Sequence, residues 1–492
     1  MTRACVIGAG FGGLALAIRL QASGVETTLV EAREKPGGMA WSWDRDQFHF
    51  DGGPTFISDP QGLKELWQIS GSDMDDAVRL LPVELYCRYN WPDGAQFDHF
   101  ADAALLRREI ARFAPDDLAG YEEFLLYSEQ LLKDFYQSLG QGPAPSLPAL
   151  LRTAPAFIRQ QGWRSVHAMV SSFVRNEKLR QALSSDVVLV GGNPLSVSAI
   201  YAMVHALKQQ TGVWWPQGGM GRLAEAMADQ FRQLGGTLRL HDPVLYVHTL
   251  GDRASEVECI SGWRERFDAV ASNADVMHTY RDLLADTVRG REISRRLARR
   301  RFAPGVFVVH FAVEGSWPGI PHHTVLFGPR FEGLAEDIFE HGVLPQDMAI
   351  YLHHPTVTDH SLAPPGKSVF YAMIPVPNMG RLSVDWEQLG PVIEQRILAE
   401  VGRRLIPDLD DRIVMKFHYA PRDFALDLNA WLGGAFSLEP TLLQDSVLRL
   451  RNRDDRFRNF YLVGAGTHPG AGIPAVLASA KATAKLMLEG LE

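Results

Sequence analysis

Cysteine is scarce in this 492-residue chain: Cys5, Cys87 and Cys259 are far apart and none belongs to a C-x-x-C pair. That spacing excludes a disulfide framework and a cysteine-built zinc site, and the reducing, cytoplasmic side is the default location. No metal is expected. No run approaches the ~18–20 uncharged apolar residues that a membrane-spanning helix needs. Internal repeats and low-complexity tracts are missing as well. Positive charge is in deficit, with 49 Lys and Arg against 58 Asp and Glu and a net charge of −9, which argues against nucleic acid as a general partner. Arg3 precedes a small and apolar run, but glycines and alanines interleave in it and no small-residue cleavage site ends it, so no secretory signal is expected. The remainder, 46% hydrophobic and 22% charged, has ordinary globular composition and length for about three domains at ~150 residues each.

One absence is local. No acidic residue lies between Asp134 and Glu177, and the interval holds Arg152, Arg159, Arg164 and Arg175 among Leu147, Leu150, Leu151, Phe157, Ile158 and Trp163. In an acidic protein, such a basic, aromatic-bearing amphipathic segment suits docking on an anionic membrane surface. A helix pair with its arginines in solvent is the alternative. The second basic run, Arg295 to Arg301, reads as a solvated helix face.

The richest stretch opens the chain. Val6-Ile7 reads as a buried strand, Gly8-x-Gly10-x-x-Gly13 follows, Leu14–Leu20 reads as a helix, and Thr27–Val30 as a second strand ended by Glu31. Gly8 permits a tight turn, Gly10 lets the backbone approach a pyrophosphate, and Gly13 lets helix and strand pack closely. The phosphates then sit at the positive helix N-terminus. Glu31 can accept from a ribose 2′-OH and disfavours a 2′-phosphate. Two more glycine clusters, Gly37-Gly38 and Gly52-Gly53, suggest a long ligand lying along the loops, with two ordinary tight turns as the alternative.

Residues 60 to 215 read as mostly helical, with apolar spacings of three and four in Ala101–Arg112 and Gly120–Leu139. The α/β texture returns with a helix ending near Leu234 and strands at Thr237–Leu240 and Pro243–His248, so the dinucleotide domain reads as discontinuous. Strand candidates at Gly305–Val313, Ala349–Leu352 and Ser368–Ile374 suggest an antiparallel sheet in a second domain. Phe460 to Pro474 is a buried strand running into a glycine-rich loop, and a helix of small residues follows at Ala475–Leu488. Its N-terminus near Ile473 offers backbone N–H groups and a positive dipole end.

On these residues the chain resembles the bacterial-type phytoene desaturases, within the amine-oxidase-like flavoprotein superfamily. The matching pieces are Val6–Leu20, Lys35-Pro-Gly-Gly38, Asp51-Gly-Gly-Pro-Thr55, Leu189-Val-Gly-Gly-Asn-Pro194, Gly212-Val-Trp-Trp-Pro-Gln-Gly-Gly219, Ala271-Ser-Asn-Ala-Asp-Val276 and Leu462-Val-Gly-Ala-Gly-Thr-His-Pro-Gly-Ala-Gly-Ile-Pro474. They span nearly the whole chain in the family's order. The resemblance implies an α/β fold: a discontinuous Rossmann-type FAD-binding domain (1–80, 216–290, 445–492), a mainly helical substrate and membrane-contacting region (81–215), and an inserted α+β substrate domain (291–444). It implies FAD rather than NAD. Gly8, Gly10, Gly13 and Glu31 would hold the ADP half, and Gly37 and Gly38 would lie along the pyrophosphate and ribityl chain. Val244 would touch the adenine through its backbone, while Gly464, Gly466 and Ile473 line the flavin end. Met39 stands where the family often has arginine, which removes a charge contact.

The implied reaction is stepwise desaturation of phytoene to lycopene in carotenoid biosynthesis. A hydride passes to the flavin and a neighbouring proton is lost. A forty-carbon hydrocarbon with no polar handle must be held by apolar burial, at roughly 25 cal/mol per Å². The implied setting is peripheral, on the cytoplasmic side of the cell membrane, with a quinone or oxygen as electron acceptor. Glu336 and Asp337 are candidate proton acceptors, with a solvated helix face as the alternative, and Arg152 is a candidate catalytic or headgroup-binding residue. Alternatives within the family are a desaturase, ketolase or isomerase of another carotenoid. More remote are an amine oxidase and a non-catalytic prenyl-binding escort protein. The lack of any cysteine after Cys259 weakens the first, and Glu31 with the intact terminal loop argues against the second.

Overall fold

The computed structural model describes residues 2–140, 142–144, 147–442, 444 and 449–491. Arg3–Ile7 is the middle strand of a five-stranded parallel sheet, in the order Phe460–Leu462, Ala269–Ser272, Arg3–Ile7, Glu26–Val30, Thr237–Arg239. Strands far apart in sequence thus share one sheet, and both ends of the chain meet in it. Ala4, Cys5 and Val6 are fully buried, as expected of a parallel sheet covered on both faces; Cys5, Ile7 and Val30 pack with Val247, Val257 and Cys259, and Ala4 and Val6 with the helix residues Leu14 and Ile18. Helix Phe11–Ala22 packs against both Gly219–Gln233 and the C-terminal helix Ile473–Leu491. That last helix begins two residues earlier than Ala475, because Gly472, at φ 98°, ends the loop just before Ile473.

A second sheet has seven strands, in the order Ile413–Tyr419, Gly305–Glu314, Lys367–Val376, Ile350–His353, His323–Leu326, Leu85–Asn90, Gln96–Phe100. All pairs are antiparallel except His323–Leu326 with Leu85–Asn90. The strand Gly305–Glu314, apolar from Val306 to Val313 except for His310, is buried on both faces as far as Val313. Phe307, Val309, Phe311 and Val313 pack in one core with Trp386, Ile393 and Ile397 of helix Trp386–Arg404. Val306 and Val308 pack in another with Tyr351, Tyr371 and Met373.

The stretch 60–215 is helical over most of its length, but it also supplies the hairpin Leu85–Asn90/Gln96–Phe100 that completes this sheet. Its turn, Pro92-Asp93-Gly94, is a sequence signal for such a hairpin. The three-stranded meander Val244–Leu250, Arg253–Cys259, Arg264–Arg266 links the outer Rossmann strand Thr237–Arg239 to Ala269–Ser272. No helix among the described residues is long and apolar enough to cross a membrane.

Candidate functional site: a glycine cradle closed by both chain ends

The opening loop is shaped by contacts that only glycine tolerates. A Cβ at Gly13 would lie 1.9 Å from the Gly8 carbonyl oxygen, and Gly8 itself has φ 95°. Helix Phe11–Ala22 has Gly10 at its N-cap with no side-chain cap, and its first turn carries no acid. Its N-terminal N–H groups therefore meet no acid of the helix's own first turn that would compete with a phosphate. Gly10 and Gly37 form an isolated parallel bridge, Gly37 N–H donates to Ala9 O at 2.8 Å, and a Cβ at Gly38 would sit 3.1 Å from Gly10 Cα. The first two glycine clusters thus pack backbone to backbone over this helix end.

Glu31 is 7% exposed, and its two carboxylate oxygens accept from Ala9 N–H (2.6 Å) and Arg33 N–H (2.9 Å). Burial raises its pKa, while those N–H groups and the Arg33 charge oppose the rise. The held carboxylate keeps lone pairs for ribose hydroxyls. Asp242 N–H donates to Glu31 O and His241 N–H to Arg33 O, so the chain entering Val244 runs directly beside Glu31.

The C-terminal loop arrives from the other side. Gly464 N–H donates to Ser479 Oγ at 3.2 Å, and Gly464 has φ 104°. Gly466 sits against Val276, where a Cβ would be 2.3 Å from Cγ1, and Ile473 is buried. One residue with no role assigned from sequence joins the loops. The Asn273 side chain lies 2.9 Å from a Cβ built at Gly10, and 2.6 Å from those built at Gly12 and Gly464. It follows Ala269–Ser272, and its position inside Ala271-Ser-Asn-Ala-Asp-Val276 was the available signal.

Asp51 is likewise structural to the site. It is 6% exposed, its Oδ1 accepts from Gly221 N–H at 2.9 Å, and it holds the start of helix Gly219–Gln233. His49 lies 2.8 Å from Asp44 and 3.6 Å from Asp51. Burial pushes its pKa down, but Asp51 and then Asp44 outweigh burial and hold it at about 9, above the ordinary 6.5. The stability this imidazolium contributes is fully present below pH 6.5 and is lost as pH rises to about 9. Between those limits the melting temperature is expected to fall more steeply in the native chain than in His49→Asn; parallel pH profiles would refute the assignment.

Beside the cradle lies an apolar cluster in which Met39, Leu189 and Phe436 meet Val308, Tyr351, Tyr371 and Met373 of the large sheet. Met39, in the arginine position, here packs as a hydrophobe. Leu189 belongs to the 3₁₀ segment Ser185–Val190, whose Val190 lies 3.5 Å from a Cβ built at Gly472. The same segment carries Asp186, paired at 2.5 Å with the buried Lys208.

The other sequence candidates lie apart from this convergence. Glu336 is exposed and Asp337 is held by Arg330 at 2.9 Å, so neither presents a desolvated carboxylate. Arg152 is exposed on helix Leu147–Arg159, as is Arg159, which pairs with Asp134 at 3.4 Å. Leu151, Ile158 and Trp163 are 66%, 62% and 53% exposed. The side chains of Leu147 and Leu150 lie outside the described residues.

Residues 11–488 match the flavin containing amine oxidoreductase family. The chain is 49% identical to a lycopene-forming phytoene desaturase of Paracoccus sp. over 99% of this chain and 97% of that one. It is 46% identical to another from Pseudescherichia vulneris over 100% of both. A solved putrescine oxidase shares the fold, with TM-score 0.63 and 16% identity over 99% of each chain. A flavin family and a cradle built for a pyrophosphate together specify the dinucleotide form of the cofactor. The chain belongs to the flavin containing amine oxidoreductase family and is an FAD-dependent oxidoreductase.

Proposed function

We propose that the chain desaturates phytoene to lycopene in carotenoid biosynthesis. The observation that carries this reading is the 46–49% identity, over essentially full length, to lycopene-forming phytoene desaturases. When bound, FAD supplies the hydride acceptor. The assigned holders are Gly8, Gly10, Gly13 and Glu31 for the ADP half, Gly37 and Gly38 for the central chain, Val244 at the adenine, and Gly464, Gly466 and Ile473 at the flavin end. The apolar cluster at Met39, Leu189 and Phe436 suits a hydrocarbon, because it excludes water and offers no charge to a substrate that has none. The proposed division is a cofactor unit of 1–80, 216–290 and 445–492, with substrate regions 81–215 and 291–444; the hairpin from 81–215 ties the last two together.

Glu336 and Asp337 are the proposed proton acceptors read from sequence, and their exposure and ion pairing favour a surface role. Unchanged lycopene formation by Glu336→Gln/Asp337→Asn assigns both to the surface. Co-expression in a phytoene-accumulating bacterium tests the function: lycopene is expected, and unchanged phytoene without new visible absorbance would sink the reading. A different coloured product would support action on another carotenoid step.

The peripheral location on the cytoplasmic membrane face, and the quinone or oxygen that reoxidises the flavin, belong to the same proposal. Exposed Leu151, Ile158 and Trp163 beside Arg152 and Arg159 support membrane docking. Flotation with anionic liposomes is expected to drop at least about tenfold in Arg152→Glu/Arg159→Glu, since each basic residue is worth roughly 1 kcal/mol near such a surface. Equal flotation removes this helix from the account.

A further inference from the structure

Three buried histidines have no part in the proposed reaction. His323 and His353 are cross-strand partners in the large sheet, and His322 is the residue just before the strand His323–Leu326. Their exposures are 2%, 0% and 1% for His322, His323 and His353. One ring nitrogen from each lies within 4.8 Å of the others, and His322 Nε2 is 3.0 Å from His353 Nε2. This is a cluster of imidazole donors alone, closed over by Trp215, whose ring lies 4.9 Å from that of His353 and 5.2 Å from that of His322.

The far nitrogens are already engaged. His323 Nδ1 lies 2.8 Å from Tyr86 O, and His322 Nδ1 lies 2.7 Å from Thr358 Oγ1. With the His322 and His323 Nδ1–H groups donated outward, their Nε2 atoms turn lone pairs inward, and His353 Nε2–H donates to His322 Nε2. Outer partners of this kind, a backbone carbonyl or a hydroxyl, set the tautomer of metal-binding histidines.

His323 adds a second sign. Its Nε2 lies 3.2 Å from Thr55 O, so both of its nitrogens face carbonyl oxygens. A neutral imidazole has one N–H and can satisfy one of them. The result is a lone pair set against a carbonyl oxygen in a dry site, a contact that a cation resolves by accepting from both.

We propose that His322, His323 and His353 form a binding site for an imidazole-preferring transition-metal ion such as zinc, completed by Thr55 O or a water. Tetrahedral zinc has Zn–N distances of about 2.0–2.1 Å, which puts ligand atoms roughly 3.3 Å apart. The His322–His353 pair is near that spacing, and His323 closes the rest by a small ring movement. Binding replaces the hydrogen bond between His322 and His353, with any excess proton released to solvent. The ion ties the large sheet to the Asp51–Thr55 loop beside the cradle; it takes no part in electron transfer.

The test uses the untagged full-length holoprotein, loaded with zinc, dialysed and assayed by elemental analysis. Cobalt(II) replaces zinc in a parallel sample read by visible difference absorption. Native chain and a His360→Asn surface control are expected to retain about one ion per chain and to show tetrahedral cobalt bands. His322→Phe and His353→Phe are expected to lose both at least tenfold while keeping FAD. Equal zinc in native chain and folded variants would place the ion on surface histidines and overturn the proposal. Should the variants not fold, the native chain decides alone: no retained zinc, no cobalt bands and no rise in melting temperature with zinc overturn it equally.

Discussion

Gly13→Ala is expected to destabilise the chain by about 3 kcal/mol, the upper end of overpacking costs, and to strip most FAD from the purified protein. The new Cβ would stand 1.9 Å from the Gly8 carbonyl oxygen. Ordinary contact begins beyond 3 Å, so helix Phe11–Ala22 must move away from the turn after Arg3–Ile7 by more than an ångström. No side-chain rotation relieves the clash, because the obstructing atom is backbone. The same movement carries the uncapped helix end away from Gly37 and Gly38, where the cofactor phosphates are proposed to lie. Thermal melting and the flavin-to-protein absorbance ratio measure both effects. Gly319→Ala is the control, since its Cβ meets nothing within 4 Å. Equal melting and equal flavin content in the two variants would refute the close-packing account.

Lys208→Met is expected to cost about 3–5 kcal/mol, and Lys208→Met/Asp186→Leu to recover most of it. Lys208 Nζ lies 2.5 Å from Asp186 Oδ2, with side-chain exposures of 2% and 8%. It also stands 3.9 Å above the Tyr86 ring centre, and Tyr86 OH donates to Asp186 Oδ1 at 3.2 Å. Burial lowers the Lys208 pKa, and the Asp186 charge opposes that fall. Deleting the ammonium alone leaves a carboxylate buried without a countercharge. Deleting both removes the two desolvation costs together and leaves the packing and the Tyr86 hydroxyl, which loses its acceptor, to adjust. Because Asp186 sits on the segment that delivers Val190 to Gly472, the single variant is also expected to hold FAD less tightly than the double. Identical melting temperatures for the two would mean that Asp186 finds another partner or takes up a proton.

The cofactor half of this protein was readable because its physics is local. A strand, a glycine turn, a helix and an acid at the next strand's end form within the first 31 residues, and the structure realises each of them. The C-terminal loop was readable for the same reason. Asn273 was not, because its role depends on Gly10, Gly12 and Gly464 converging from three separate segments. A helical reading of residues 60–215 misses the hairpin Leu85–Asn90/Gln96–Phe100, although Pro92-Asp93-Gly94 marks its turn. Its strands are partnered by His323–Leu326, more than two hundred residues away. Residue type and a place on a helix nominate Glu336 and Asp337, and neither reveals exposure or the Arg330 clamp.

The sequence by itself determined the class of cofactor, the elements that carry it and the absence of a spanning helix among those elements, since each follows from residue type and short spacing. Only the tertiary structure decided that both chain ends share one sheet, that Met39 packs as a hydrophobe against the large sheet, and that Lys208 meets Asp186. It alone gathered His322, His323 and His353 around a shared centre. Those arrangements depend on which distant surfaces are buried against each other, and burial is a property of the whole packed chain.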